Sequence, residues 1–437
     1  MRNAPQTFLQ RLKYIGPSII VTGSVVGSGS IALTPLLGAA AGFTLLWWLL
    51  LSMWSKPLIQ AEISRYIIVK NKTFLEAFSD MPGFKTTIQG KTTSWLVWFM
   101  FIGVIPAVAG MGGLAGAVAQ AGNLMLPYLS TETWVVICCF ATWAILYWGS
   151  YQTLEKTLLA MVFFFSLVTL IIAMAMQTTP YEVTAEQIFQ GFSFSFPLEH
   201  VALALAVFGF TGISYGEIMA YTYWCLEKGY GKEEGDQLND TKAWIKVMQT
   251  DVWVTVLFVT IGTVPFFFLG AGVLHQLELY PPPSGDIIQT LLNMFTSILG
   301  NWAKWLFIVL AFFVLFSTSL SGTAAFTRTI SDYLISTGLI VERLHTRKKL
   351  IRLIAFLVPL FSCIAYFILP NPITLLLIAG VWAAIGLPIV NIGALYLVNK
   401  LEKELQPKKV TKFVLWLTLS LQLTLAFLII YNETIGI

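Results

Sequence analysis

The sequence predicts an all-α polytopic membrane protein of eleven transmembrane helices, two inverted repeats of five followed by one more. Three observations carry this expectation. Of 437 residues, 57% are hydrophobic and only 11% charged, with a mean hydropathy of +0.77, a balance foreign to soluble globular domains. Apolar runs of about 20 residues, long enough to span hydrocarbon as a helix, recur along the whole length. Two of these runs, the first and the sixth, are interrupted near their middles by Gly, Ser and Thr.

The expected spans are 15–37, 42–65, 94–121, 133–149, 154–177, 199–226, 249–272, 301–324, 350–369, 373–398 and 412–432. The first shows no signal-peptide cleavage pattern and leads at once into another, so it counts as a span. Gly27-Ser28-Gly29-Ser30 has poor helix propensity and predicts an unwound segment at mid-membrane. Freed N–H and C=O groups there must face protein or a water-filled cavity, and such breaks are where secondary transporters hold substrates. A packing face of small residues is the other reading. The second span carries Lys56-Pro57 near its centre, then Glu62 and Arg65. A lysine at mid-bilayer costs about 2.5–3.5 kcal/mol on insertion scales, so Lys56 needs a carboxylate, carbonyls or a polar cavity.

Residues 70–93 form a polar connection with a short surface helix expected near Thr73 to Phe78. The third span holds Gly103, Gly110, Gly112, Gly113, Gly116 and Gly122, which let neighbouring backbones approach closely. The fourth and fifth are rich in Trp, Phe and Leu and are joined by a turn near Gly149 to Glu155. The 178–198 connection has no basic residue, and Thr184 to Phe189 reads as a surface amphipathic helix.

The sixth span repeats the opening theme, with a break at 209–216. Standing five helices apart, the two broken helices cross in opposite senses, as inverted repeats require. Pro281-Pro282-Pro283 interrupts the link between spans seven and eight, and Ser317 to Thr323 gives the eighth a polar face that lines a path or bonds its own backbone. The expected organisation is a tail at 1–14, a first repeat at 15–178, a connection at 179–198, a second repeat at 199–398, and a loop plus final helix at 399–437.

Every lysine and arginine except Lys56 and Lys304 falls in segments on one side of this topology, from Arg2, Arg11 and Lys13 through Lys156, Lys228, Lys232 and the Arg343 to Arg352 loop to Lys412. The asymmetry predicts an integral protein of a bacterial-type plasma membrane, with the N-terminus cytoplasmic and the C-terminus extracytoplasmic. The net charge of +4 thus reflects topology, and no nucleic-acid partner is expected. Cys138, Cys139, Cys225 and Cys363 lie in spans or at an inner end and suit packing. His200, His275 and His345 are scattered and suggest no metal cluster. No nucleophile–base arrangement indicates an enzyme, and no cofactor is expected. The expected partners are a small ion or small-molecule substrate and membrane lipids, with the chain functional as a monomer.

The chain resembles the Nramp family of transporters, within the amino acid-polyamine-organocation superfamily that shares the LeuT-like fold. The resemblance rests on Gly16-Pro17, Gly42-Phe43 with Leu45-Leu46-Trp47, Ser321-Gly322-Thr323, Leu387-Pro388, the helix count, and Tyr223-Trp224-Cys225-Leu226-Glu227-Lys228-Gly229-Tyr230 closing helix six, which is similar to divergent bacterial members. It implies proton-linked import of divalent transition metals. The family's Asp-Pro-Gly-Asn, however, falls on Gly27, Ser28, Gly29 and Ser30, and its Met-Pro-His at or near Ile213, Ser214 and Tyr215. The acidic residues of its helix-three Asp-Leu-Ala-Glu fall on Gly113 and Gly116, and a helix-ten glutamine on Gly386.

Two readings follow. One keeps a divalent cation, such as a hydrated magnesium ion that needs fewer direct ligands, with Glu217 as the best carboxylate. The other is a carrier of a small neutral or anionic, amino-acid-like solute, because Val26 to Ile31 resembles the Gly-Ser-Gly break of amino-acid transporters, where free N–H groups can hold a carboxylate. The substrate-binding candidates are Gly27, Ser28, Gly29, Ser30, Thr211, Gly212, Ile213 and Ser214, the binding backbone of this second reading. Lys56 and Glu217 are candidates for coupling or for a structural ion pair.

Overall fold

The structure is a computed structural model that describes residues 5, 7–148, 151–230, 238–282, 285–341 and 345–435. Arg2, Gly149, Lys232, Pro283 and Arg343 lie outside these, as do the side chains of Ser28 and Lys156, and Gly27 is described by its backbone course alone.

A short α1 (Phe8–Leu12) precedes the first span, which starts as α2 (Pro17–Gly27) with a proline at its first position, where the missing N–H is harmless. The expected break is present in another form. Val26 leaves helical angles, Ser28–Leu33 winds as a π-helical turn, and α3 (Thr34–Ala41) continues beyond it. The turn is widened and bulged rather than opened out, so its backbone stays largely bonded to itself.

α4 (Leu46–Lys70) runs unbroken through Pro57. The connection after it contains α5 (Phe74–Ser79), started by a reciprocal Thr73–Glu76 cap. Contrary to the expected surface placement, Phe74, Leu75, Ala77 and Phe78 are buried. A hairpin of β1 (Lys85–Ile88) and β2 (Lys91–Ser94) follows.

Then come α6 (Trp95–Ile102), α7 (Val104–Met125), α8 (Thr131–Trp148) and α9 (Tyr151–Ala175). The expected surface helix is α10 (Ala185–Gln190), capped by Thr184 and burying none of its residues. The sixth span is split cleanly into α11 (Val201–Phe210) and α12 (Tyr215–Glu227). α13 (Leu238–Leu269) ends in a second π turn, Gly270–Leu274. α14 (Ile287–Leu299) is an additional helix in the link to the eighth span. α15 (Ala303–Ser336), α16 (Thr346–Ile368), α17 (Pro372–Asn399) and α18 (Lys409–Ile435) complete the chain.

Among the described residues, seven helical stretches are long and apolar enough to cross a membrane. The remaining four expected spans coincide with α2–α3, interrupted by the π turn, with α4, which carries Lys56, Glu62 and Arg65, and with α9 and α18. The broken sixth span, Leu198–Glu227, is 67% buried across its most apolar window, against 22% for Thr131–Trp148. The interrupted helix therefore sits at the centre of the bundle and α8 at its edge. α11 packs between α17 and α4, and α13 joins α4 to α2, which brings the two breaks together.

Candidate functional site

The two breaks touch backbone to backbone. A Cβ at Gly29 would lie 2.6 Å from Phe210 O and 3.0 Å from Thr211 Cα, so only glycine permits this approach. Thr34 Oγ1 donates to Gly29 O at 3.0 Å and lies 3.1 Å from Thr211 Oγ1, tying the π turn to the second break. Ser30 Oγ turns the other way, 2.7 Å from Thr263 Oγ1 on α13. Gly212 takes φ +75°, a left-handed angle that favours glycine. Ile213 is buried. Ser214 N donates to Glu217 Oε2 at 2.9 Å, and the Ser214 hydroxyl bonds the same oxygen, capping α12.

Because α11 stops at Phe210, its last carbonyls have no intrahelical partner. α4 supplies partners at intervals of four residues, which lie on one helix face. Trp48 Nε1 donates to Ala204 O, a carbonyl in the body of α11, at 2.8 Å, and the next two residues on that face reach the carbonyls at its end. Ser52 Oγ donates to Phe208 O at 3.2 Å and Thr211 O at 3.0 Å. Lys56 Nζ donates to the same two oxygens, at 2.7 and 2.5 Å, and lies 5.3 Å from the centroid of the Phe208 ring. Lys56 is fully buried, so the expected mid-membrane lysine finds carbonyls. Among the described residues it forms no direct ion pair with Glu217, although Glu217 lies within electrostatic reach. One turn further along, Gln60 is fully buried, and among the described residues neither of its amide atoms has a hydrogen-bond partner.

The structure thus brings Gly29, Thr211 and Lys56 together, with Thr34 and Ser52 as partners that sequence reasoning passed over. It places Ser30, Ile213 and Ser214 in neighbouring packing or capping contacts. The glycines at the family's acidic helix-three positions serve helix packing: a Cβ at Gly113 would meet Pro372 O at 2.7 Å, and one at Gly116 would meet the Tyr366 ring.

Asp251, on α13, was also missed. It is fully buried and accepts from Gly16 N (3.2 Å), Ser18 N (3.0 Å), Ser18 Oγ (2.7 Å) and Tyr221 OH (2.8 Å). One carboxylate therefore caps the start of α2 and joins it to α12. Its signal was available, since an acidic residue inside an expected span demands a partner. Asp251→Ala is expected to lower stability by about 3 kcal/mol by stranding these donors, measurable as a fall in the thermal midpoint of the detergent-solubilised protein.

Among the described residues no group of three or more His, Cys, Asp or Glu side chains is placed to hold a metal. Any ion at the breaks would meet carbonyls and hydroxyls.

The family model for Nramp, natural resistance-associated macrophage protein-like, matches residues 18–432. Among solved structures, the chain is similar to the Eremococcus coleocola manganese transporter in complex with an aromatic bis-isothiourea substituted compound. The two share 16% identity and a TM-score of 0.71, over 97% of this chain and 88% of that one. It is also similar to MhsT in complex with L-phenylalanine (16% identity, TM-score 0.60, 98% of this chain and 99% of that one). A third likeness is to MHP1, a nucleobase-cation-symport-1 family transporter, in a closed conformation with bromovinylhydantoin bound (15% identity, TM-score 0.55, 94% of this chain and 85% of that one). At these identities the likeness is one of fold, and the fold is LeuT-like. No curated protein matches the sequence.

Proposed function

Because this chain belongs to the Nramp family, we propose that it is a secondary transporter that carries a divalent metal cation by alternating access, with the cation seated where the two helix breaks meet. The observation that carries the reading is the convergence of oxygen acceptors on a positive charge: Phe208 O and Thr211 O both point at the Lys56 ammonium. A pair of carbonyls that binds an ammonium suits a cation as cargo. With neutral carbonyl oxygens as its acceptors, the seat favours hard ions that keep part of their water shell, magnesium or manganese, over softer ones. The solved manganese transporter of the same fold supports this substrate class.

The reading as an anion or amino-acid carrier has less support. It relies on free N–H groups in the first break, and a π turn engages them. It also relies on the Lys56 charge, which is already committed to carbonyls. The same proposal includes eleven crossings, two repeats at 15–178 and 199–398, a cytoplasmic N-terminus argued from the lysine and arginine asymmetry, and a functional monomer.

Uptake into proteoliposomes tests it. Saturable entry of Mn²⁺ or Mg²⁺ is expected, with no saturable uptake of neutral amino acids. Uptake of an amino acid that is indifferent to divalent metal would overturn the proposal.

A further inference from the structure

Resting on the cation reading, we propose that the Lys56 ammonium is a tethered cation that competes with the transported ion for the Phe208 and Thr211 carbonyls and, when displaced, steps to the amide of Gln60. The first seat is explicit in the geometry. Two carbonyls freed by the helix break, held in place by Ser52 Oγ, bind a fully buried ammonium beside an aromatic face. An ammonium bonded to carbonyl oxygens makes the same kind of interaction that a metal ion, or a water bound to it, would make there. Two positive charges cannot share that seat in a low-dielectric interior, so an arriving ion has to displace the lysine.

The second seat follows from helix geometry. Gln60 stands four residues after Lys56, hence on the same face of α4 and one turn along. Helical side chains lean back toward the N-terminus, so its amide leans toward the Lys56 stem. Gln60 is fully buried with neither amide atom partnered among the described residues, an arrangement native structures rarely leave without a purpose. Its Oε1 is an acceptor ready for the displaced ammonium, and Ser64, another four residues along, carries a buried hydroxyl without a partner. Trp48, Ser52, Lys56, Gln60 and Ser64 thus form one stripe whose first three members are bonded to helix six and whose last two are not. The stripe is a rail along which the lysine charge moves between an occupied and a relieved position. Transport then needs no carboxylate at the first break, because the site changes its affinity by withdrawing a positive charge.

The full-length protein in detergent provides the test. Lys56→Ala, purified with and without methylammonium chloride, should be stabilised by that ion with a rise of about 3 °C or more in its thermal midpoint. Tetramethylammonium, which has no N–H to donate, should have no effect, and neither ion should stabilise the unaltered protein. Lys56→Ala should also bind Mn²⁺ at least tenfold more tightly than the unaltered chain. A Lys56→Ala protein that methylammonium neither recovers in folded form nor stabilises overturns the tethered-cation assignment. Unchanged or weaker Mn²⁺ binding alongside methylammonium stabilisation overturns the competition. Gln60→Leu removes an unpartnered amide and should fold at least as well, yet bind Mn²⁺ at least tenfold more weakly; unaltered binding removes the second seat. If the unaltered protein binds no Mn²⁺, the carrier reading fails, while the methylammonium arm still decides the seat.

Discussion

Gly29→Ala is expected to abolish cation uptake and to lower stability by about 1–3 kcal/mol, the range for overpacking a close contact. The new Cβ would sit 2.6 Å from Phe210 O and 2.8 Å from Phe210 C. Both are backbone atoms, so relief requires moving α11 away from the π turn. That motion separates Thr34 from Thr211 and pulls the Phe208 and Thr211 carbonyls out of register with α4. Gly38→Ala supplies the comparison. A Cβ there would lie 2.6 Å from Ala271 N and 2.7 Å from Phe267 O, an equally tight contact between α3 and the end of α13 that leaves the seat alone. Gly38→Ala should therefore cost similar stability while retaining Mn²⁺ binding. Thermal midpoints paired with equilibrium binding separate the two, and equal loss of binding in both variants would mean that the breaks have no special role.

Glu217→Gln should weaken Mn²⁺ binding at least tenfold, equivalent to about 1.4 kcal/mol, while the fold survives. Glu217 is half-buried at the start of α12, bonded to Ser214 and within electrostatic reach of Lys56. Glutamine retains an oxygen that accepts from Ser214 N, so the cap persists, and only the charge is lost. Without that charge, a divalent ion approaching the Lys56 ammonium meets uncompensated positive potential. Binding isotherms for the two proteins measure the effect. Equal affinities would confine Glu217 to capping.

Much of the architecture was legible because hydrophobic run length and the glycine, serine and threonine interruptions are written locally. The sixth-span break fell where Thr211 and Gly212 leave the helix, and the Thr184 helix was signalled by its own cap. The form of the first break was not legible. A Gly-Ser-Gly-Ser run is compatible with both unwinding and a π turn, and the close packing of Gly29 on Phe210, a contact between distant segments, accompanies the π turn. The partner of Lys56 was hidden for a related reason: its acceptors lie 152 and 155 positions away and are backbone atoms, which no side-chain pattern announces. Glu217 offered a clear local signal, Ser214 followed three residues later by glutamate, which marks a helix start as well as a carboxylate near the site. Asp251 stood in plain view inside an apolar span, but its donors come from α2 and α12, so its role emerged only from the fold.

On the proposed function, the meeting point of the two breaks binds a cation through oxygens. Titrating Mn²⁺ into the purified, unaltered protein by calorimetry tests it most directly. A single saturable site is expected, weakened in Glu217→Gln and lost in Gly29→Ala. No binding of Mn²⁺ or Mg²⁺, together with saturable binding of an amino acid at the same protein concentration, would contradict it.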